Sequence, residues 1–190
     1  DSGFARAGER NLQLCGNDHR VRGLVTMSRA LWLSGFPERA IATARQATTT
    51  AQKSGKPLDS CFALLYTTPV YLWCGQWDAT QELLDQVVSH THWHLLKPFH
   101  PVVRAMEAAL LIGRGSAEQG TSMLSGVLQQ MRDERQDVVR TFVACSIADG
   151  LTAVGRPEEA LTLIRTIRRN AVRGAESVEL PVLLRIQGNA

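Results

Sequence analysis

The stretch LWLSGFPERA (31–40) decides how this chain folds, because it recurs. YLWCGQWDAT (71–80), LIGRGSAEQG (111–120) and LTAVGRPEEA (151–160) follow at an even spacing of forty residues. Each carries a glycine at the same place: Gly35, Gly75, Gly115 and Gly155. Apolar residues lead into the glycine, a short polar turn follows, and a small residue lands five positions on, at Ala40, Thr80, Gly120 or Ala160. A fixed period of this length marks one supersecondary unit stacked several times. Such arrays present extended binding surfaces and rarely carry catalytic groups.

Each unit reads as two antiparallel helices. The first is expected over 20–34, 60–74, 101–114 and 140–154, with Leu31, Tyr71, Leu111 and Leu151 turned inward. Small residues, Ser28, Thr68, Ala108 and Ala148, sit one turn earlier. The second helix is expected to begin just past the glycine, near Glu38, Asp78, Ala117 and Glu158. Its core stripe is Ala44, Leu84, Leu124 and Ile164, then Ala47, Val87, Val127 and Ile167, positions whose spacing keeps them on one helix face. Glycine supplies the left-handed turn that ends a helix, and Pro37 and Pro157 suit a first helical turn, where no backbone donor is lost. Pro69 falls inside a helix and is expected to kink it or open a turn, at a cost of about 3 kcal/mol unless packing compensates.

The fold class that follows is all-α: an α-α superhelix of four helix-hairpin repeats with a half-repeat at each end, one domain over residues 1–190. Projected backward, the period makes residues 1–14 the second helix of an earlier unit. Projected forward, it makes Glu179 to Gly188 the first helix of a fifth, with Leu184 in register. The chain is therefore expected to be a piece of a longer one.

Composition agrees. Hydrophobic residues make up 44% of the 190, enough for a continuous core, while aromatics at 6% favour packing of Ala- and Leu-rich helices over a β-sandwich. The net charge of +3 is nearly balanced, and the clearest basic cluster, Arg165, Arg168, Arg169 and Arg173, lacks interleaved stacking partners. It reads as a solvated helix face, not a nucleic-acid patch. Cys15, Cys61, Cys74 and Cys145 form no CxxC pair and are expected as buried reduced thiols of a cytoplasmic protein. The longest apolar stretch, Cys61 to Cys74, is too short for a membrane span.

The small-residue pattern (Ser28 or Ala148, then Gly35 or Gly155, then Ala40 or Ala160) resembles the tetratricopeptide repeat, although forty residues exceed that family's shorter unit. A second resemblance covers nearly the whole chain. RALWLSGFPERAIATARQAT (29–48), PVYLWCGQWDAT (69–80), EEALTLIRTI (158–167) and ELPVLLRIQGN (179–189) are similar to the C-terminal helical-repeat region of large bacterial signalling proteins. In those proteins a winged-helix DNA-binding domain or a nucleotide-cyclase domain precedes a regulatory ATPase module of the STAND type. The resemblance implies a sensor or scaffold region of a cytoplasmic transcriptional regulator. Its partners would be a protein, a peptide or a small effector, and the ATPase module of the same chain. No DNA-reading helix, phosphate loop or cyclase motif occurs in these residues, so no direct nucleic-acid contact is expected here.

Two groups of residues are candidates for a site. First helices line the inner groove of tetratricopeptide-like arrays, and the register of Ser28 places Arg22, Val25, Arg29, Trp32, Phe62, Tyr66 and Trp73 on that face. Met106, Ala109, Phe142, Ser146, Asp149 and Arg185 follow from the later units. Arginine beside tryptophan and tyrosine suits an anionic or peptide ligand, through charge-assisted hydrogen bonds and stacking. The competing reading is that the rings only cover neighbouring helices. The other group is His90, His92, His94 and His100, in which His90 and His94 are four apart as in many helical zinc sites. Against a metal, no carboxylate stands at the matching spacing and Pro98 and Pro101 interrupt the segment, so a polar connection between units is the alternative. No cofactor motif and no enzyme signature is present, and catalysis is not expected. A passive scaffold for homo-oligomerisation is the alternative to a sensor.

Overall fold

The computed structural model describes residues 18–93, 99–133, 140–171 and 188, with side chains for 18–89, 99–127, 130, 143–165 and 188. Eight helices lie within these residues: α1 (His19–Leu33), α2 (Pro37–Lys53), α3 (Pro57–Trp73), α4 (Trp77–Trp93), α5 (His100–Gly113), α6 (Ala117–Asp133), α7 (Arg140–Ala153) and α8 (Pro157–Ala171). Among the described residues there is no strand. The tetratricopeptide-like half-units expected at residues 1–14 and 179–188 fall outside this description, apart from Gly188.

The joints explain the period. Gly35, Gly75, Gly115 and Gly155 have φ of 83°, 67°, 92° and 75°, the left-handed region that a side chain would strain. At each one the chain closes the same pair of bonds. The Gly35 N–H donates to the Trp32 carbonyl and the Phe36 N–H to the Leu31 carbonyl, both at 2.9 Å. Equivalent pairs run from Gly75 and Gln76 to Leu72 and Tyr71, from Gly115 and Ser116 to Ile112 and Leu111, and from Gly155 and Arg156 to Thr152 and Leu151. This pair of hydrogen bonds is the Schellman arrangement, which satisfies the last carbonyls of a helix while reversing the chain. The next helix then starts two residues past the glycine, at Pro37, Trp77, Ala117 or Pro157.

Packing follows the small residues. Ser28, Thr68, Ala108 and Ala148 are fully buried, and so are Ala40, Thr80 and Ala160. Gly120 shows why size is limited there: a Cβ at that position would stand 2.5 Å from the Ala108 carbonyl oxygen and 2.7 Å from Ile112 Cγ1. The second-helix stripe is buried as read, with Ala44, Ala47, Leu84, Val87, Leu124, Val127 and Ile164 at 1% exposure or less; Ile167 lies outside the described side chains. Of the inward first-helix positions, Tyr71 and Leu151 are buried, whereas Leu31 and Leu111 are only half-buried.

Two expectations need correction. The first helix of the second unit begins at Pro57, three residues before the expected 60, because Pro57 takes the first helical position directly after the Gly55 turn (φ 67°). Pro69 opens no turn either, since α3 runs through it to Trp73. Proline has no N–H for the Leu65 carbonyl, but this stretch is fully buried apolar surface, and its hydroxyls are absorbed locally. Thr67 Oγ1 donates to the Ala63 carbonyl and Thr68 Oγ1 to the Leu64 carbonyl, both at 2.7 Å. Burial on this scale outweighs one lost hydrogen bond.

The chain divides into two compact units, Asp1–Lys97 and Pro98–Ala190. In the first, α1 packs on α2, α2 on α3 and α3 on α4, with α1 also beside α3. In the second, α5, α6, α7 and α8 repeat that scheme, with α5 beside α7. First helices therefore adjoin one another within each unit. No helix of the described residues is long and apolar enough to cross a membrane.

Candidate functional site

The face built by α1 and α3 is where side chains depart most from what the fold requires. Arg29, Trp32, Phe62, Tyr66 and Trp73 are all half-buried there. Trp32, near the end of α1, stacks on Trp73, near the end of α3, with ring centroids 4.5 Å apart and planes inclined by 29°. Arg29, one turn before Trp32, holds its Cζ 5.7 Å from the centre of the Trp73 ring. Further along α3, Phe62 and Tyr66 form a second ring pair at 4.5 Å. Beneath them Val21, Val25, Ala47, Ala51 and Ala63 make a dry cluster against which Leu24, Phe62 and Tyr66 rest.

The electrostatics link the two ring pairs. Burial pushes the Tyr66 phenol above its ordinary pKa, while the Arg29 charge pulls it back down and Cys61 adds a small upward push. Helix α1, HRVRGLVTMSRALWL, carries Arg20, Arg22 and Arg29 and no acid, and the single acid of α3, Asp59, is fully buried. The face is aromatic and basic.

Of the residues read from the sequence, Arg29, Trp32, Tyr66 and Trp73 come together in this way. Arg22 is exposed on α1. Met106 does not offer its side chain to any groove: it is 1% exposed and belongs to the core of the second unit, and Val25 is likewise core at 4%. The register placed them on the inner face, but in both cases the helix crossing turns that position into packing. Asp149 is half-buried on α7 in the second unit. Arg185 and His94 lie outside the described residues, and His90, though within α4, lies outside the described side chains. His100 is exposed at the start of α5, with Pro101 behind it. Among the described residues no cluster of three or more histidine, cysteine or acidic side chains gathers to hold a metal.

Asp59 was missed in the sequence. At the third position of α3 it reads as a carboxylate favouring a helix start. In the fold it accepts from the Asp18 backbone N–H at 2.9 Å and from the Ser54 hydroxyl at 3.3 Å. Asp18 in turn caps α1 by accepting from the Arg20 N–H at 2.8 Å. One buried carboxylate therefore ties the start of α1 to the α2–α3 joint, and with it the α1 edge of the aromatic face. An open cleft of about 630 Å³ lies beside this joint, lined by Arg20, Gly23, Leu24, Thr50 and Lys53 among others.

Cys61, Cys74 and Cys145 are thiols with no disulfide. Burial pushes Cys61 up to about 11 and raises Cys74 as well, which keeps both protonated and unreactive at neutral pH.

Comparison with solved structures agrees with this architecture. The chain is similar to a protein of Podosopora anserina described as a kinesin light chain with nearly identical TPR-like repeats, with a TM-score of 0.54 and 20% identity over 90% of this chain and 83% of that one. A singly substituted form of the same protein aligns at a TM-score of 0.53 and 21% identity, covering 90% and 82%. The fold is a tetratricopeptide-like helical repeat. Identity at this level speaks for the fold alone. No protein-family model matches the chain, and no curated protein matches it.

Proposed function

We propose that this chain is a non-catalytic recognition module, using the α1–α3 face to sense a small effector or dock a peptide. Tetratricopeptide-like folds commonly mediate protein interaction and are typically not catalysts. The carrying observation is the Arg29–Trp73–Trp32 assembly with Tyr66 beside it. A repeat fold needs small residues at its crossings and apolar ones in its stripes; it needs neither a half-buried tryptophan pair nor an arginine laid over it. In this reading the module belongs to a cytoplasmic bacterial transcriptional regulator of the STAND ATPase type, as the segments quoted above suggest. Occupancy of the face would favour one arrangement of the repeats and pass that bias to the ATPase module, in proportion to the ligand's differential affinity for the two states.

Thermal-shift screening of metabolites and peptides against the chain, repeated with Arg29→Ala and Trp73→Ala, tests this. A binder that raises the unfolding midpoint of the parent and fails to do so with either variant supports the face. Binders indifferent to both changes remove it. Concentration-dependent light scattering, unaltered by any binder, would favour the scaffold reading instead.

A further inference from the structure

We infer that the α1–α3 face takes a small planar aromatic anion, an aryl carboxylate, as its effector; this rests on the α1–α3 face being the recognition site. Three observations narrow the chemistry. Trp32, Trp73 and Tyr66 are half-buried and keep part of their ring surface at the solvent, which favours a flat apolar body. Arg29 lies 5.7 Å from the Trp73 ring, and its charge lowers the Tyr66 phenol against the upward push of burial. A guanidinium has five donors in a fixed fork, so it can serve a carboxylate while keeping its stacking contact. Finally, Arg22 stands seven residues before Arg29, two turns along the same side of α1, and neither α1 nor α3 presents an exposed carboxylate. A cationic surface of that kind favours a negative ligand and rejects a positive one.

The distances also set the size. Arg29 and Trp32 are three apart on α1, so the charge and the ring surface lie within one helical turn of each other. A ligand whose carboxylate is one or two bonds from its ring spans that separation, whereas a long polyanion would leave most of its charge over rings. The second unit lacks the equipment. Two periods along from Arg29, Trp32, Tyr66 and Trp73 stand Ala109, Ile112, Ser146 and Ala153, with neither charge nor ring. One molecule per chain is therefore expected.

The test is isothermal titration of the 190-residue chain with phenylacetate, alongside acetate, 2-phenylethanol and the tripeptide Gly-Gly-Phe. Phenylacetate should bind at one site, about tenfold or more tighter than acetate or 2-phenylethanol, because each control lacks one half of the recognition. Arg29→Gln should weaken phenylacetate by about tenfold or more while leaving 2-phenylethanol unchanged. Trp73→Phe, which keeps a ring against Trp32, should hold affinity within a few-fold, and Arg104→Gln in the second unit should do nothing. Unchanged unfolding midpoints certify that the variants fold. Phenylacetate binding no tighter than 2-phenylethanol, or intact in Arg29→Gln, overturns the proposal, and so does Gly-Gly-Phe binding more tightly than phenylacetate. If phenylacetate fails while another binder from the thermal screen still depends on Arg29 and Trp73, only the ligand class falls. If no binder depends on them, the face falls with it.

Discussion

The two units are built to one plan but use different chemistry. At the joints they are interchangeable: Gly35 and Gly75 in the first, and Gly115 and Gly155 in the second, close the same pair of bonds with positive φ. Away from the joints they part. Where the first unit has Arg29, Trp32, Tyr66 and Trp73, the second has Ala109, Ile112, Ser146 and Ala153 at the same register. The crossings differ too. In the second unit Gly120 and Gly150 leave no space for a Cβ, since one at Gly150 would meet Thr121 Oγ1 and lie 2.8 Å from Ile112 Cδ1. In the first unit the matching positions are Ala40 and Val70, both fully buried. Positions that resist variation across the repeats serve the fold; those that vary while remaining at the surface are available for function. The first unit has the specialised surface, and the second has the tighter packing.

That contrast is broken most sharply at the crossing. Gly120→Val should cost about 3 kcal/mol, because the new atoms meet backbone at Ala108, which cannot yield as a flexible side chain would. Denaturant unfolding of the variant would measure the loss, and a midpoint unchanged from the parent would contradict the tight-crossing account. Next in size is Asp59→Ala, a change confined to the first unit. It leaves the part-buried Asp18 N–H without its acceptor, while the Ser54 hydroxyl keeps the Ala51 carbonyl at 2.7 Å, and about 2 kcal/mol should be lost. Hydrogen exchange should show the start of α1 opening first while α5–α8 keep their protection.

A third effect is confined to alkaline solution. Cys61 has its pKa raised from 9.0 to about 11 in the fold by burial, so the folded state holds a proton that the unfolded state releases. Its contribution is fully present below pH 9 and is lost as the pH rises toward 11. Stability should therefore fall across that window, with Tyr66 and Tyr71, both raised chiefly by burial, adding in the same direction. Cys61→Ala should flatten part of the slope, although the lost side-chain volume lowers stability at neutral pH. The smallest effect separates two buried threonines. Thr68 donates to the Leu64 carbonyl at 2.7 Å, whereas Thr121 Oγ1 is buried with no hydrogen-bond partner. Thr68→Val should cost about 1 kcal/mol, and Thr121→Val should be neutral or stabilise by up to about 1 kcal/mol. Calorimetric midpoints moving in the same direction for both would show that the hydroxyls are not what distinguishes them.

Much of this architecture was legible in the chain itself. The glycines announced the joints because only a residue without a Cβ takes φ near +80° cheaply, and the chain must reverse there in every unit. The small residues at 28, 68, 108 and 148 announced the crossings because two helix backbones approach there. The two compact units divide between Lys97 and Pro98. The site was legible only in part. Arg29, Trp32, Tyr66 and Trp73 were placed on one face by register, but Met106 and Val25 obeyed the same register and went into the core. Helical periodicity gives the direction of a side chain about its own axis; it does not say how closely the neighbouring helix presses there.

The one-dimensional pattern, then, settled what depends on local backbone chemistry: the glycine joints, the handedness of their turns and the stripe the second helices bury. Only the tertiary structure decided which rings meet, that Arg29 lies over Trp73, and that Asp59 is bonded to a backbone N–H 41 residues away in sequence. Those pairings depend on the angle and depth at which helices cross, and these are set by the summed packing of many side chains, with no local motif to carry them.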